Sequence, residues 1–240
     1  MGTMNPFRIF SPRAAPAGLG KRLAAWKHLP VADLTLPVDS ARYVVVDVET
    51  SGFHPRKDRL ISLGAVEVRA GKLEVGRAFQ GILRQDGVHS RDDILVHGIG
   101  ATRQREGDPP PELLLEFLAF AGSSPLIAFH ARFDRAFLRR AVKQRLGVSL
   151  ANPFLDLAWL LPGLFGQPDA RQRGLDDWMQ RFGLSELGRH SADADALAAG
   201  ELLLIALPLA GRRGLANFKE LSAFARREEE AARHGPRGIV

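Results

Sequence analysis

The 240-residue chain is 45% apolar and has no cysteine, enough for one packed domain with extensions, and this excludes disulfides and thiolate-bound zinc. Any catalytic metal must then sit on oxygen or imidazole donors, which favours magnesium or manganese. The net charge of +6 lies wholly in the flanks: residues 1–39 carry 5 basic and 2 acidic side chains, residues 207–240 carry 7 and 4, and residues 40–206 carry 21 of each. Such flanks attract polyanions such as nucleic acid or an acidic membrane surface, and ordinary solvated tails have the same composition.

The first 31 residues hold Pro6, Pro12 and Pro16 with five bases and no acid, the composition of a loosely docked arm. A single serine and repeated helix breakers set this arm apart from the serine-rich, amphipathic targeting peptides. No secretory signal stands out, and apolar runs such as Leu202 to Leu209 are too short to cross a bilayer. The expectation is a cytoplasmic protein with no membrane partner. Along the chain it divides into a basic N-terminal arm at 1–39, a central domain at 40–206 and a basic C-terminal extension at 207–240.

The β-branched run from Tyr43 to Val46, ending in Asp47, predicts a strand buried on both faces at the centre of a sheet. Residues 59–69 and 72–83 predict two more strands joined by a tight turn at Ala70-Gly71, completing a meander. A helix is expected over 111–121, a short buried strand over 125–129, and a helix over 135–146 with apolar residues at 138, 142 and 146. Two further helices follow near 174–182 and 192–206. Strands first, then strand and helix alternating, predicts an α/β fold with a mixed sheet covered by helices.

Three segments carry candidate chemistry. Asp47 and Glu49 lie two residues apart at a strand end, so both side chains leave the same face, where they can share a cation or simply meet water. Asp134, in Phe129-His130-Ala131-Arg132-Phe133-Asp134, falls at a helix start, where an acid also serves as a cap. His190 precedes a Ser191 positioned as N-cap, with Asp193 and Asp195 in the first turn, and Asp193 is assigned to the helix dipole.

Taken in order, the three segments resemble the motifs of the DEDDh (DnaQ-like) 3′→5′ exonuclease family, which includes the proofreading ε subunit of bacterial DNA polymerase III. Asp47 to Gly52 matches D-x-E-T-S/T-G; Phe133 and Asp134 match the second motif; His190, Ala192, Asp195 and Ala196 match the third. Val96-His97-Gly98-Ile99 resembles a family segment near the substrate terminus. The resemblance covers about residues 42–206. It implies a ribonuclease H-like five-stranded mixed sheet flanked by helices, and two Mg2+ or Mn2+ ions. Asp47, Glu49 and Asp195 would hold one ion, Asp47 and Asp134 the other, with His190 as general base and Thr50 and His97 beside the terminal nucleotide. The implied activity is release of nucleoside monophosphates from single-stranded 3′ ends, with DNA as the first substrate and a DNA polymerase as a partner.

One departure falls in the second motif, where the family commonly has His-Asn and this chain has Phe129-His130. Either the imidazole replaces the amide's contact or that contact is lost. Arg135, Arg139 and Lys143 recur at helical spacing after Asp134 and read as a solvated face that can also guide phosphates. Two readings compete with a DNA exonuclease: an RNA 3′-end-trimming enzyme, since the same catalytic set accepts either sugar, and a polymerase-associated nucleic-acid-binding subunit. For the latter, Leu215, Phe218, Leu221 and Phe224 recur every three residues in the extension, suited to tethering a partner or to covering the domain's own core.

Overall fold

A computed structural model describes residues 18–85, 99–166, 174–185 and 191–234. Its centre is β1 (Arg42–Thr50), flanked by antiparallel β2 (Leu60–Arg69) on one side and parallel β4 (Leu126–Ala128) on the other. β3 (Lys72–Ile82) pairs antiparallel outside β2, and β5 (Phe154–Asp156) pairs parallel outside β4, giving the order β3-β2-β1-β4-β5. The β2–β3 turn forms at Ala70 and Gly71, with φ of 49° and 66°, the left-handed pair that a two-residue hairpin requires.

Eight helices are present among the described residues. α1 (Leu19–Lys27) lies within the expected arm and rests Leu23 and Trp26 on the core beside α3 (Pro110–Ala121). α2 (Ala101–Arg105) precedes α3, and α4 (Ala131–Leu146) follows β4. α4 begins four residues before the expected start, which puts Asp134 inside its first turn and not at a cap. β5 and α5 (Leu157–Phe165) were not visible in the sequence pattern, whereas α6 (Leu175–Phe182) falls where periodicity puts it. α7 (Ala192–Arg212) runs six residues beyond the expected end at 206, and α8 (Phe218–His234) closes the fold.

Alternation along β1 divides the interior into two cores. Val44, Val46 and Val48 face α3 and α4, whereas Tyr43 and Val45 face α7, α5 and α8. Asp47 and Glu49 continue this second row, so β1 delivers both carboxylates to the α7 side. Phe218, Leu221 and Ala225 of α8 are buried in the same core, and Phe218 packs on Tyr43 with ring centroids 6.5 Å apart. The apolar series of the extension therefore covers the domain itself. α7 has the length and hydropathy of a membrane span, yet it lies along β1 and β2 with Leu202, Leu203 and Ala206 fully buried.

The approach of α7 depends on glycine. Gly64 of β2 is the register partner of Asp47, and a Cβ there would fall 2.2 Å from the backbone of Ala192 at the start of α7. Eight residues on, a Cβ at Gly200 would meet Leu73 at 2.8 Å. With Ala192, Ala196 and Ala199 also buried, the helix lies flush on the sheet. Gly64→Ala is expected to push the start of α7 outward and to cost about 1–3 kcal/mol, the usual range for overpacking. Chemical denaturation together with divalent-metal titration of the variant checks this, and metal affinity should fall with stability.

Arg42 stitches the other layer. Its guanidinium donates to the carbonyls of Ala121 (2.9 Å) and Phe120 (2.8 Å) at the end of α3, to Ser124 Oγ (2.7 Å), and to Glu67 of β2 (2.9 Å). Glu67 is 1% exposed and also accepts from Arg69 at 2.6 Å. Burial alone would raise the Glu67 carboxyl; the hydrogen bonds and charges of Arg42 and Arg69 outweigh it and hold it below the usual glutamate range. A depressed folded pKa stabilises the fold above the unfolded value and loses that contribution as pH falls through the folded one. Glu67→Gln should therefore cost about 1–3 kcal/mol at neutral pH, with the gap to wild type closing in acid. Urea melts across a pH series measure it.

Candidate metal and nuclease site

At the C-terminal end of β1 three carboxylates converge. One oxygen each from Asp47, Glu49 and Asp195 lies within 4.8 Å of the others, and all three residues are partly exposed. β1 supplies the first two by its two-residue repeat. The third comes from the first turn of α7, where Asp195 N–H donates to the Ser191 carbonyl at 3.0 Å. Ser191 occupies the expected N-cap position in extended conformation, but its side chain makes no cap bond. Three carboxylates this close repel one another unless a cation or a proton intervenes. An all-oxygen, multiply anionic donor set suits a hard divalent ion.

Asp134 approaches from the opposite layer and is 2% exposed. Burial is the main force pushing its carboxyl well above the usual aspartate range, reinforced by the charges of Asp156 and Glu49. Hydrogen bonds from its own backbone and from Val48 act in the other direction. A buried acid that accepts backbone amides while facing other acids is costly as an ion, and a neighbouring divalent cation would reverse that cost.

The turn that aims Asp134 is unusual. His130 has φ 63° and ψ 44°, a left-handed conformation rare for residues with a Cβ and most accessible to Asn, Asp and His. The departure noted in the second motif thus falls at a position whose constraint is on the backbone. The imidazole stands edge-on to Phe129, with ring centroids 4.9 Å apart, and the His130 N–H donates to Asp156 Oδ1 at 3.0 Å.

Asp156 was missed in the sequence. Its Oδ1 also accepts from Ala158 N–H at 3.0 Å, capping α5. Burial raises its carboxyl, against amide hydrogen bonds from Ala158, Ala131 and His130. One carboxylate thus receives the N-termini of both α4 and α5, where helix dipoles favour negative charge. The available signal was Asp156 directly before the apolar run of residues 157–165, an N-cap pattern.

Thr50 follows a register shift at the end of β1 and donates its hydroxyl to the Gly52 carbonyl at 2.8 Å. Gly52 packs on Asp58, which accepts from His54 N–H at 2.7 Å, and Arg140 of α4 donates to the carbonyls of Pro55 and Asp58. This fastens the loop after β1 to α4 and leaves Phe53 81% exposed beside Phe133. His190 and His97 lie outside the described residues. The structure therefore gathers Asp47, Glu49 and Asp195, leaves Asp134 buried outside that group but near enough to feel the charge of Glu49, and places Thr50 directly after Glu49 at the end of β1.

The chain is also similar to known proteins. The chain is 32% identical over 185 residues to a DNA polymerase III subunit epsilon-like protein of Rhodobacter capsulatus, covering 76% of this chain and 26% of that protein. It is 30% identical over 186 residues to the PolC-type DNA polymerase III of Bacillus subtilis, covering 77% and 13%. The chain thus spans only about a quarter of one of these relatives and about an eighth of the other. Among solved structures, E. coli exonuclease I in complex with a dA16 oligonucleotide shares the fold with a TM-score of 0.63 at 15% identity, over 77% of this chain and 43% of that one. The family model described as Exonuclease (RNase_T) matches residues 44–203, from within β1 into α7 and across every strand of the sheet, and the chain belongs to that exonuclease family.

Proposed function

We propose that the protein is a two-metal-ion 3′→5′ exonuclease that releases nucleoside monophosphates from single-stranded 3′ ends, with DNA as the preferred substrate. The observation that carries this reading is the convergence of Asp47, Glu49 and Asp195 within 4.8 Å, near a buried Asp134 whose ionisation is opposed by its surroundings, Glu49 among them. DNA is preferred over RNA because the relatives are named as DNA polymerase III proteins and the fold neighbour was solved on a deoxyoligonucleotide. The same names support association with a DNA polymerase.

In this reading Asp47, Glu49 and Asp195 hold one Mg2+ or Mn2+, and Asp47 with Asp134 holds the second. Bound divalent ions supply charge neutralisation at the scissile phosphate and lower the pKa of water. The protein's own residues do the rest. Thr50 and His97 flank the terminal nucleotide, and Asp156 fixes the turn from which Asp134 projects. His190 accepts the proton as a water oxygen bonds to phosphorus and the bond from phosphorus to the 3′ oxygen of the preceding nucleotide breaks.

Asp47→Ala or Asp195→Ala should abolish trimming of a 3′-labelled oligonucleotide while the metal-free protein keeps or gains thermal stability, since each change relieves carboxylate repulsion. Asp134→Asn should likewise lose activity and raise the metal-free melting temperature by a few degrees. By contrast, His190→Ala should lose most of its turnover and still bind manganese in a calorimetric titration. Full activity in either Asp→Ala variant would overturn the site.

A further inference from the structure

A cleft of about 840 Å³ opens beside the first turn of α4, between the loop after β1 and the C-terminal part of α8. It continues into a second cleft of about 390 Å³ between α4 and α8. Arg132, Asp156, Trp159, Glu229 and Arg233 line both, so the two form one groove. None of the four site carboxylates lines it, but Asp156, which lines both clefts, lies close enough to Asp134 for the two charges to interact, so the groove runs next to the carboxylate site.

Its walls are cationic. Arg56 and Lys57 stand on the loop, Arg132 and Arg135 on α4, and Arg226 and Arg233 on α8. Two acids oppose these six. Asp156 is buried and already accepts backbone amides, and Glu229 pairs with Arg233 one turn along α8. Trp159 adds an aromatic surface between the charged walls. A positively charged track with an aromatic side chain is the arrangement that holds single-stranded nucleic acid without reading its sequence. α8 lies beyond residues 44–203, the span matched by the family model, so one wall stands outside that span. Burial of Phe218, Leu221 and Ala225 fixes the helix that bears its two arginines before a strand arrives.

We propose that this groove carries the phosphodiester backbone of the single strand whose 3′ end occupies the carboxylate site. The assignment rests on the exonuclease reading for its direction, since a strand held by its end must leave the site along some path, and this one is cationic and adjacent to it through Asp156.

The test uses the full chain, a fluorescently labelled single-stranded DNA of about 20 nucleotides, long enough to reach beyond one short binding site, and the p-nitrophenyl ester of thymidine 5′-monophosphate, which occupies the carboxylate site alone. Anisotropy is read in chelator, where no hydrolysis occurs, across a salt series. For Arg226→Glu/Arg233→Glu, both positions being exposed, affinity should fall roughly tenfold or more. The slope of log affinity against log salt should flatten by about 1.4, or about 0.7 for each lost phosphate contact, with ester turnover unchanged. Trp159→Phe should bind nearly as well as wild type, and Trp159→Ala roughly tenfold more weakly. A matched charge reversal on the opposite sheet edge, Lys72→Glu/Arg77→Glu, should shift affinity about twofold or less.

Unchanged affinity and slope in the α8 variant, or an equal loss in the β3 control, would overturn the groove. So would an acidic peptide that binds through Arg226 and Arg233 while the DNA does not. If the wild type cleaves neither ester nor DNA yet the α8 variant still loses affinity and slope, the groove stands and the catalytic reading falls. If both substrates are cleaved normally and only the slope fails to change, the catalytic reading stands and the groove falls.

Discussion

The arrangement depends on a contact that a single methyl group would abolish. Gly64 sits opposite Asp47 in the sheet, and its lack of a side chain lets the backbone of α7 rest directly on β2. The carboxylate of Asp195 is carried on the first turn of that helix, so its distance from Asp47 and Glu49 is set by backbone packing and not by a flexible side chain. Holding three like charges together is unfavourable, and the structure meets this cost with close-packed elements on either side. The buried alanines and Gly200 along α7 extend the same contact over two turns of helix.

The site also joins the two cores. Asp47 and Glu49 belong to the α7 face of β1, whereas Asp134 comes from the α4 side and meets the strand at Val48. Strand alternation explains Asp47 and Glu49, and the left-handed turn at His130 sets the helix start that carries Asp134. Asp156 ties that turn to α5 by accepting amides from two helix starts. Asp156 thereby fixes the backbone from which Asp134, the proposed ligand of a second metal ion, projects.

Much of this was legible in the sequence. The β-branched run at 43–46 marked the central strand, Ala70-Gly71 marked the hairpin, and the order of the three acidic segments pointed to the site. What stayed hidden has physical reasons. β5 is three residues long and offers no period to detect, and Asp156 at its end looks like any acid before an apolar helix. Asp134 resembles a helix cap until the turn at His130 moves the helix start back to Ala131, a conformation no composition rule anticipates. The apolar series at 215, 218, 221 and 224 was readable as a stripe but not as to what it covered, because a period of three drifts across a helix of 3.6 residues per turn. Burial fell on Phe218, Leu221 and Ala225, with Leu215 and Phe224 partly covered.

That burial has a consequence during synthesis. The core around Tyr43 is closed by residues that follow it by about 175 positions, and at translation rates of about 5–20 residues per second they emerge roughly 10–35 s later. α5 and α7 emerge earlier and can cover part of this core, but the part around Tyr43 on which Phe218 packs stays open until the end of that interval. A chaperone with affinity for such surfaces would find its longest window on this chain before α8 leaves the ribosome.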